Sequence, residues 1–163
     1  MNITGTLRAL GSDRGAVRVE ALYDTDVDDL WQACTEPERL ARWIADVQGD
    51  LRLGGEFEAR FTSGWEGTGR VQVCEPPHRL VVLTREAGES AECLIEATLS
   101  SEGEQTRLVI EQSGLPVDGL PAYGAGWQVH LEDLGAHLAG GERCDLKARW
   151  NELIAGYRAV AIG

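Results

Sequence analysis

The stretch from 47 to 112 constrains this chain most, because short runs of β-type texture alternate there with glycine and proline punctuation. Gly54-Gly55 permits a bulge or tight turn before a strand over 56–62, in which Phe57, Ala59 and Phe61 share one face. Val71 and Val73 lead into Pro76-Pro77, which cannot donate to a ladder and so ends the next strand. Residues 80–84 and 93–99 read as two further strands, with Gly88 at the tip of the turn between them. Gly103 turns the chain into a strand over 107–112. The result is an antiparallel meander, with neither a repeated βα unit nor a phosphate-binding glycine loop.

Helices flank this meander. Residues 3–10 and 16–23 form a hairpin, with Val17, Val19, Ala21 and Tyr23 on the alternating face. Asp24-Thr25-Asp26 then offers capping oxygens to a helix carrying Val27, Leu30, Trp31 and Cys34 at helical spacing. Pro37 suits the first turn of a second short helix, whose apolar side is Leu40, Trp43 and Ile44. After the meander, Pro116, Gly119, Pro121 and further glycines predict a loop over 114–126 that moves. From Trp127, about 100° per residue places Leu131, Leu134 and Leu138 within about 40° of one line. Gly140-Gly141 ends that helix. A last helix from Leu146 aligns Trp150, Leu153, Tyr157 and Val160.

With 163 residues, 43% apolar and 26% charged, the chain has the size and composition of one soluble globular domain over 1–163. A net charge of −12, from 27 acidic and 15 basic residues, opposes binding to nucleic acid or an anionic membrane. No run is long and apolar enough for a span or an export signal, so a cytoplasmic location is expected. Cys34, Cys74, Cys93 and Cys144 form no CxxC pair and are expected as reduced thiols, mostly packed.

The fold is expected to be α+β, a curved antiparallel sheet wrapped around a long helix. Its phrases stand in a telling order: TEPERLARW, LGGEFEARF, EPPHRL, TRLVIEQSGLP and GWQVHLEDLGAHLAG. From about 17 to 140 they resemble the START-like SRPBCC superfamily (helix-grip, or START/Bet v-like, fold), in its activator-of-heat-shock-protein-90-ATPase-homologue branch. The tail over 141–163 is similar to a helical extension of some bacterial members. The resemblance implies a cavity between sheet and helix. Members of the superfamily bind lipids, hormones and polyketides, and a few catalyse cyclisation or hydrolysis. The branch takes its name from a co-chaperone, whose separate N-terminal domain and asparagine- and tryptophan-rich motif are not expected here.

A small apolar or amphipathic molecule in that cavity is therefore the leading expectation. A cyclase- or hydrolase-like enzyme is the alternative, and co-chaperone-like partner binding the third. The candidate ligand-binding residues are Trp127, Leu131 and Leu134 on the helix, Phe57, Phe61 and Trp65 on sheet and loop, and Trp43 at one end. Taken singly, each would also serve as core filling. His130 and His137 border the helix stripe with Asp133 nearby, and His130 is the better placed to meet a ligand or a strand carbonyl. As a metal site this array lacks a fourth ligand, so no metal and no cofactor is expected. One of Glu111 and Gln112 is expected to point inward as a polar anchor, while Glu56, Glu58 and Arg60 form a solvated face. No nucleophile elbow or tight carboxylate pair names a catalyst. The 114–126 loop and the Trp65 segment would gate the cavity. Trp150 and Tyr157 suggest a homodimer, since they cover more surface than one domain hides.

Overall fold

The computed structural model describes residues 2–163. The first hairpin pairs β1 (Thr4–Ala9) with β2 (Arg14–Tyr23). On β2 the alternating set Val17, Val19, Ala21 and Tyr23 is buried, as the period-2 pattern requires. Two helices follow. At the start of α1 (Val27–Thr35) the Asp26 carboxylate accepts the Asp29 backbone N–H at 2.8 Å, satisfying one free amide of the first turn. Helix α2 (Pro37–Trp43) opens on Pro37, whose missing N–H has no intrahelical partner to lose there.

The remaining strands are β3 (Ala45–Gly49), β4 (Glu56–Phe61), β5 (Glu66–Glu75), β6 (Arg79–Glu86), β7 (Glu92–Glu102) and β8 (Gln105–Pro116). All eight strands form one curved antiparallel sheet in the order β1-β2-β8-β7-β6-β5-β4-β3. The chain's first hairpin thus joins its last strand, β2 lying against β8. Their register sets Val17 opposite Gln112 and Val19 opposite Ile110, and β7 continues the row with Ile95 and Ala97. One concave face results, apolar apart from Gln112, Thr84 and Thr106.

Helix α3 (Leu120–Leu138) lies on that face. It is longer than the expected stripe, and the loop predicted over 114–126 does not exist as such. Strand β8 runs to Pro116, a 3-10 turn spans Val117–Gly119, and the helix begins at Leu120. Pro121 falls in the first helical turn, where proline is tolerated, so it starts the helix instead of breaking it. Burial also extends around the helix: Ala125 and Val129, on the far side from Trp127 and Leu131, are fully buried. A helix apolar on opposite sides must be covered on both.

Helix α4 (Leu146–Arg158) covers α3 from outside the sheet. The approach is close because α3 carries Gly124 at the crossing, where a Cβ would stand 2.6 Å from the Tyr157 ring. The Tyr157 hydroxyl donates to Gln128 Oε1 at 2.8 Å. Beyond the helix the chain returns to β1, where the Gly163 N–H donates to the Leu7 carbonyl and the Ala9 N–H to the Gly163 carbonyl. Tyr157 is therefore buried within this chain and Trp150 is half-buried against α3, which removes the ground on which they suggested a second copy. The four cysteines are free, with Cys144 exposed and not packed. No helix among the described residues is long and apolar enough to cross a membrane.

Two glycines of α3 should respond in opposite directions to the same change. Gly124→Ala drives a methyl into the Tyr157 ring and should lower unfolding free energy by about 1–3 kcal/mol. Gly126→Ala, with no atom within 4 Å of its Cβ, should raise it by about 0.5–1 kcal/mol. Urea denaturation of the two variants checks the pair.

Candidate functional site

Between α3, α4 and the β4–β6 end of the sheet lies an open cavity of about 760 Å³. Each element brings a definite share. The end of β4 and the turn after it supply Phe61, Thr62 and Trp65, and β7 and β8 supply Ile95 and Gln112. From α3 come Tyr123, Gly126, Trp127 and His130, and from the start of α4 come Leu146, Lys147 and Trp150. Glu86 and Asp145 add two carboxylates.

Hydrogen bonds hold the inner wall in place. The Trp127 indole N–H donates to Gln112 Oε1 at 2.8 Å, so a buried polar residue of β8 orients one of the three tryptophans of the cavity. Gln112 is thus the inward member of the Glu111–Gln112 pair, while Glu111 pairs with Arg8 on the outer face. Phe61 meets Trp65 edge-on with centroids 5.0 Å apart. His130 stands edge-on to both Phe61 and Trp127, each at 5.8 Å. This imidazole is 3% exposed, its Nδ1 has no hydrogen-bond partner, and burial pushes its pKa down to about 4. It is a neutral base at physiological pH.

Of the eight candidate residues, the structure brings four together around the cavity: Phe61, Trp65, Trp127 and His130. The other four lie elsewhere. Leu131 and Leu134 are fully buried in the core, because the sheet covers that side of the helix, and the Tyr23 hydroxyl donates to the Leu131 carbonyl at 2.7 Å. Trp43 is buried with its indole N–H donating to the Ala33 carbonyl at 2.9 Å, which makes it the lock between α1 and α2. Phe57 sits at the far end of β4, its ring lying over Gly69 of β5, where a Cβ would be 2.3 Å from it. Period-2 alternation put Phe57 and Phe61 on one face correctly, but the strand carries them to different ends of it.

The His130, Asp133 and His137 array also separates. Asp133 accepts the Cys144 backbone N–H at 2.9 Å, tying the α3–α4 connection down, and His137 Nε2 accepts from Arg39 Nε at 3.1 Å. Only His130 reaches the cavity. The expected gate changes too: 120–126 is helix, and the mouth is framed by the β4–β5 turn and the start of α4. Two aromatic contributors were missed by sequence reasoning. Tyr123 was hidden inside the supposed loop, although Pro121 followed by a helix-compatible run was a start signal. Trp150 was placed on an outer helix, and no local pattern tells which side of α4 meets the cavity.

The depressed pKa of His130 has a defined consequence for stability. The unfolded imidazole takes its proton near 6.5, and the folded one only near 4. Between those values the unfolded state holds the extra proton, so its contribution to stability is complete above 6.5 and is lost as pH falls towards 4. That contribution is about 3 kcal/mol. Urea unfolding at pH 7 and at pH 4.5 should show a loss in the native chain that is smaller by about 2 kcal/mol in His130→Phe.

The chain resembles known proteins along its length. The family model described as Activator of Hsp90 ATPase homolog 1-like protein matches residues 24–139. The crystal structure of CalU16 from Micromonospora echinospora superimposes with a TM-score of 0.77 at 28% identity, over 98% of this chain and 96% of that one. DynU16, a protein of the dynemicin biosynthetic locus, is 28% identical with a TM-score of 0.73, over 78% of this chain and 48% of its own. A protein encoded by Bordetella parapertussis gene BPP1335 shares the fold at 22% identity, with a TM-score of 0.72 over 91% of this chain and 87% of that one. No protein of curated function matches the sequence. The helix gripped by an antiparallel sheet, the family match over most of the chain and the full-length likeness to CalU16 agree: the chain belongs to the activator of Hsp90 ATPase homolog 1-like family, with the helix-grip fold of the START-like SRPBCC superfamily.

Proposed function

We propose that this protein binds a small apolar or amphipathic molecule in the cavity between sheet, α3 and α4. The observation that carries the reading is where its aromatic residues stand. Five of the ten, namely Phe61, Trp65, Tyr123, Trp127 and Trp150, line this one concavity, and all but Trp127 are only partly buried. Aromatic side chains that serve a core alone would be covered by it.

The size supports the same reading, since about 760 Å³ lies within the range of pockets that enclose drug-sized ligands. A ligand burying about 300 Å² of apolar surface gains about 7 kcal/mol before association costs are subtracted. Membership of a superfamily of ligand-binding folds, and the origin of the related DynU16 in a biosynthetic locus, point to a small molecule. The mouth lies between the β4–β5 turn, with Ser63 and Gly64 exposed, and Lys147 of α4.

Native mass spectrometry tests the reading directly. The purified protein should carry a discrete extra mass lost on denaturation, or should take up naphthalene, with quenching of tryptophan fluorescence. Gly126→Trp places an indole in the cavity from a helix position with free space, and should cut naphthalene affinity at least tenfold while the protein remains folded. A bare chain mass together with no uptake of naphthalene would overturn the proposal.

A further inference from the structure

The mouth of the cavity carries charge, and one carboxylate there is set among aromatic rings. Glu86 lines the cavity from the end of β6. It pairs in register with Gly67 of β5, so the two residues face the same side of the sheet. On that side the Trp65 indole lies over Gly67, where a Cβ would stand 2.6 Å from the ring. Glu86 therefore adjoins Trp65. Tyr123 meets them from α3, and its phenol pKa is pushed above the ordinary value first by burial and next by the Glu86 charge. Trp65 and Tyr123 are only partly buried and Glu86 is exposed, so all three are open to a ligand.

This grouping selects for positive charge. An ionised carboxylate accepts hydrogen bonds and offers none. The faces of an indole and a phenol attract a cation through the ring quadrupole. Glu86 takes no part in the ion pairs formed among the described residues. Its neighbour Arg85 points to the opposite face of the sheet, and Arg14 reaches the Gly114 carbonyl at 3.4 Å. Lys147, the only lysine of the chain, stands at the mouth against two carboxylates, Glu86 and Asp145, which leaves the lining negative. The whole protein carries −12 and a cleft concentrates such a field, so a cation enters with it and an anion against it.

We infer that the ligand carries a protonated amine, held by the Glu86 carboxylate and the faces of Trp65 and Tyr123, with its apolar body deeper in the cavity against Phe61 and Trp127. This rests on the cavity-binding reading above and names the charge of the ligand. It also assigns Glu86, an exposed acid at a strand end, as the residue that sets specificity.

Naphthalene, 1-naphthylmethylamine and 1-naphthoate are the neutral, cationic and anionic members of one ring system at pH 7, and their affinities by calorimetry separate the two levels. The native protein should bind the amine about tenfold more tightly than naphthalene, the worth of a cation among aromatic faces with a carboxylate beside it. It should bind 1-naphthoate at least about tenfold more weakly than the amine. Glu86→Gln keeps the size of an exposed side chain and should leave the fold intact. It should cut the advantage of the amine over naphthalene to less than about threefold. Glu104→Gln removes the same charge from the β7–β8 turn, at the other end of those strands from Ile95 and Gln112, and should keep the advantage at about tenfold. Equal affinity for the amine and naphthalene would overturn the inference and leave the cavity reading standing. So would an advantage that survives Glu86→Gln or is lost equally in Glu104→Gln, or tightest binding of 1-naphthoate through Lys147. Failure of all three compounds to bind would overturn both.

Discussion

Helix α3 is apolar on opposite sides, and the rest of the structure follows from the need to cover both. The sheet covers one side, with Leu131 and Leu134 sunk into its concave face. Helix α4 covers another, and it comes close enough only because Gly124 leaves room for the Tyr157 ring. Along the sector that carries Tyr123, Trp127 and His130 the two covers leave a gap, and the cavity opens there, although Trp127 and His130 themselves stay buried. A helix packed from two directions thus creates both the core and the opening beside it.

The tail beyond the family match is part of this arrangement. The matched family region stops at 139, yet Leu146, Lys147 and Trp150 form one wall of the cavity. Their position is fixed at both ends of the segment. Asp133 on α3 holds the Cys144 amide before α4 begins, and the Gly163 backbone pairs with β1 after it ends. CalU16 aligns over nearly the whole of this chain, tail included, so the extension has a structural counterpart in that relative. The mouth is thus built partly from α4, which lies outside the matched family region.

Polarity is distributed with the same economy. The acidic surface is mostly paired or solvated, as in Asp50–Arg52 and Glu66–Arg60, and such exposed pairs contribute little to stability. Inside, Gln112 is bound to Trp127, and His130 is uncharged because it is buried. The inner wall formed by Gln112, Trp127 and His130 therefore offers hydrogen bonding without formal charge.

Much was legible in the sequence. The period-2 set on β2, the Asp26 cap, Pro37 and the glycine stop after α3 are local patterns, and the alternation around Phe57, Ala59 and Phe61 is too. Each depends on neighbours a few residues away, so the chain alone determines it. The partition of the aromatic residues was not legible. Leu131 and Trp127 share one helical stripe, yet the sheet covers the first and leaves the second at a cavity. Phe57 and Phe61 share a strand face, yet only Phe61 reaches the site. Glycine and proline misled over 114–126 because their meaning depends on context: Pro121 starts a helix, and Gly124 serves a contact with Tyr157, 33 positions away. The sequence by itself determined which elements form and which faces are apolar, since those follow from local sterics and periodicity. Only the tertiary structure decided which part of each apolar face is filled and which is left open, because that depends on how far neighbouring elements extend over it.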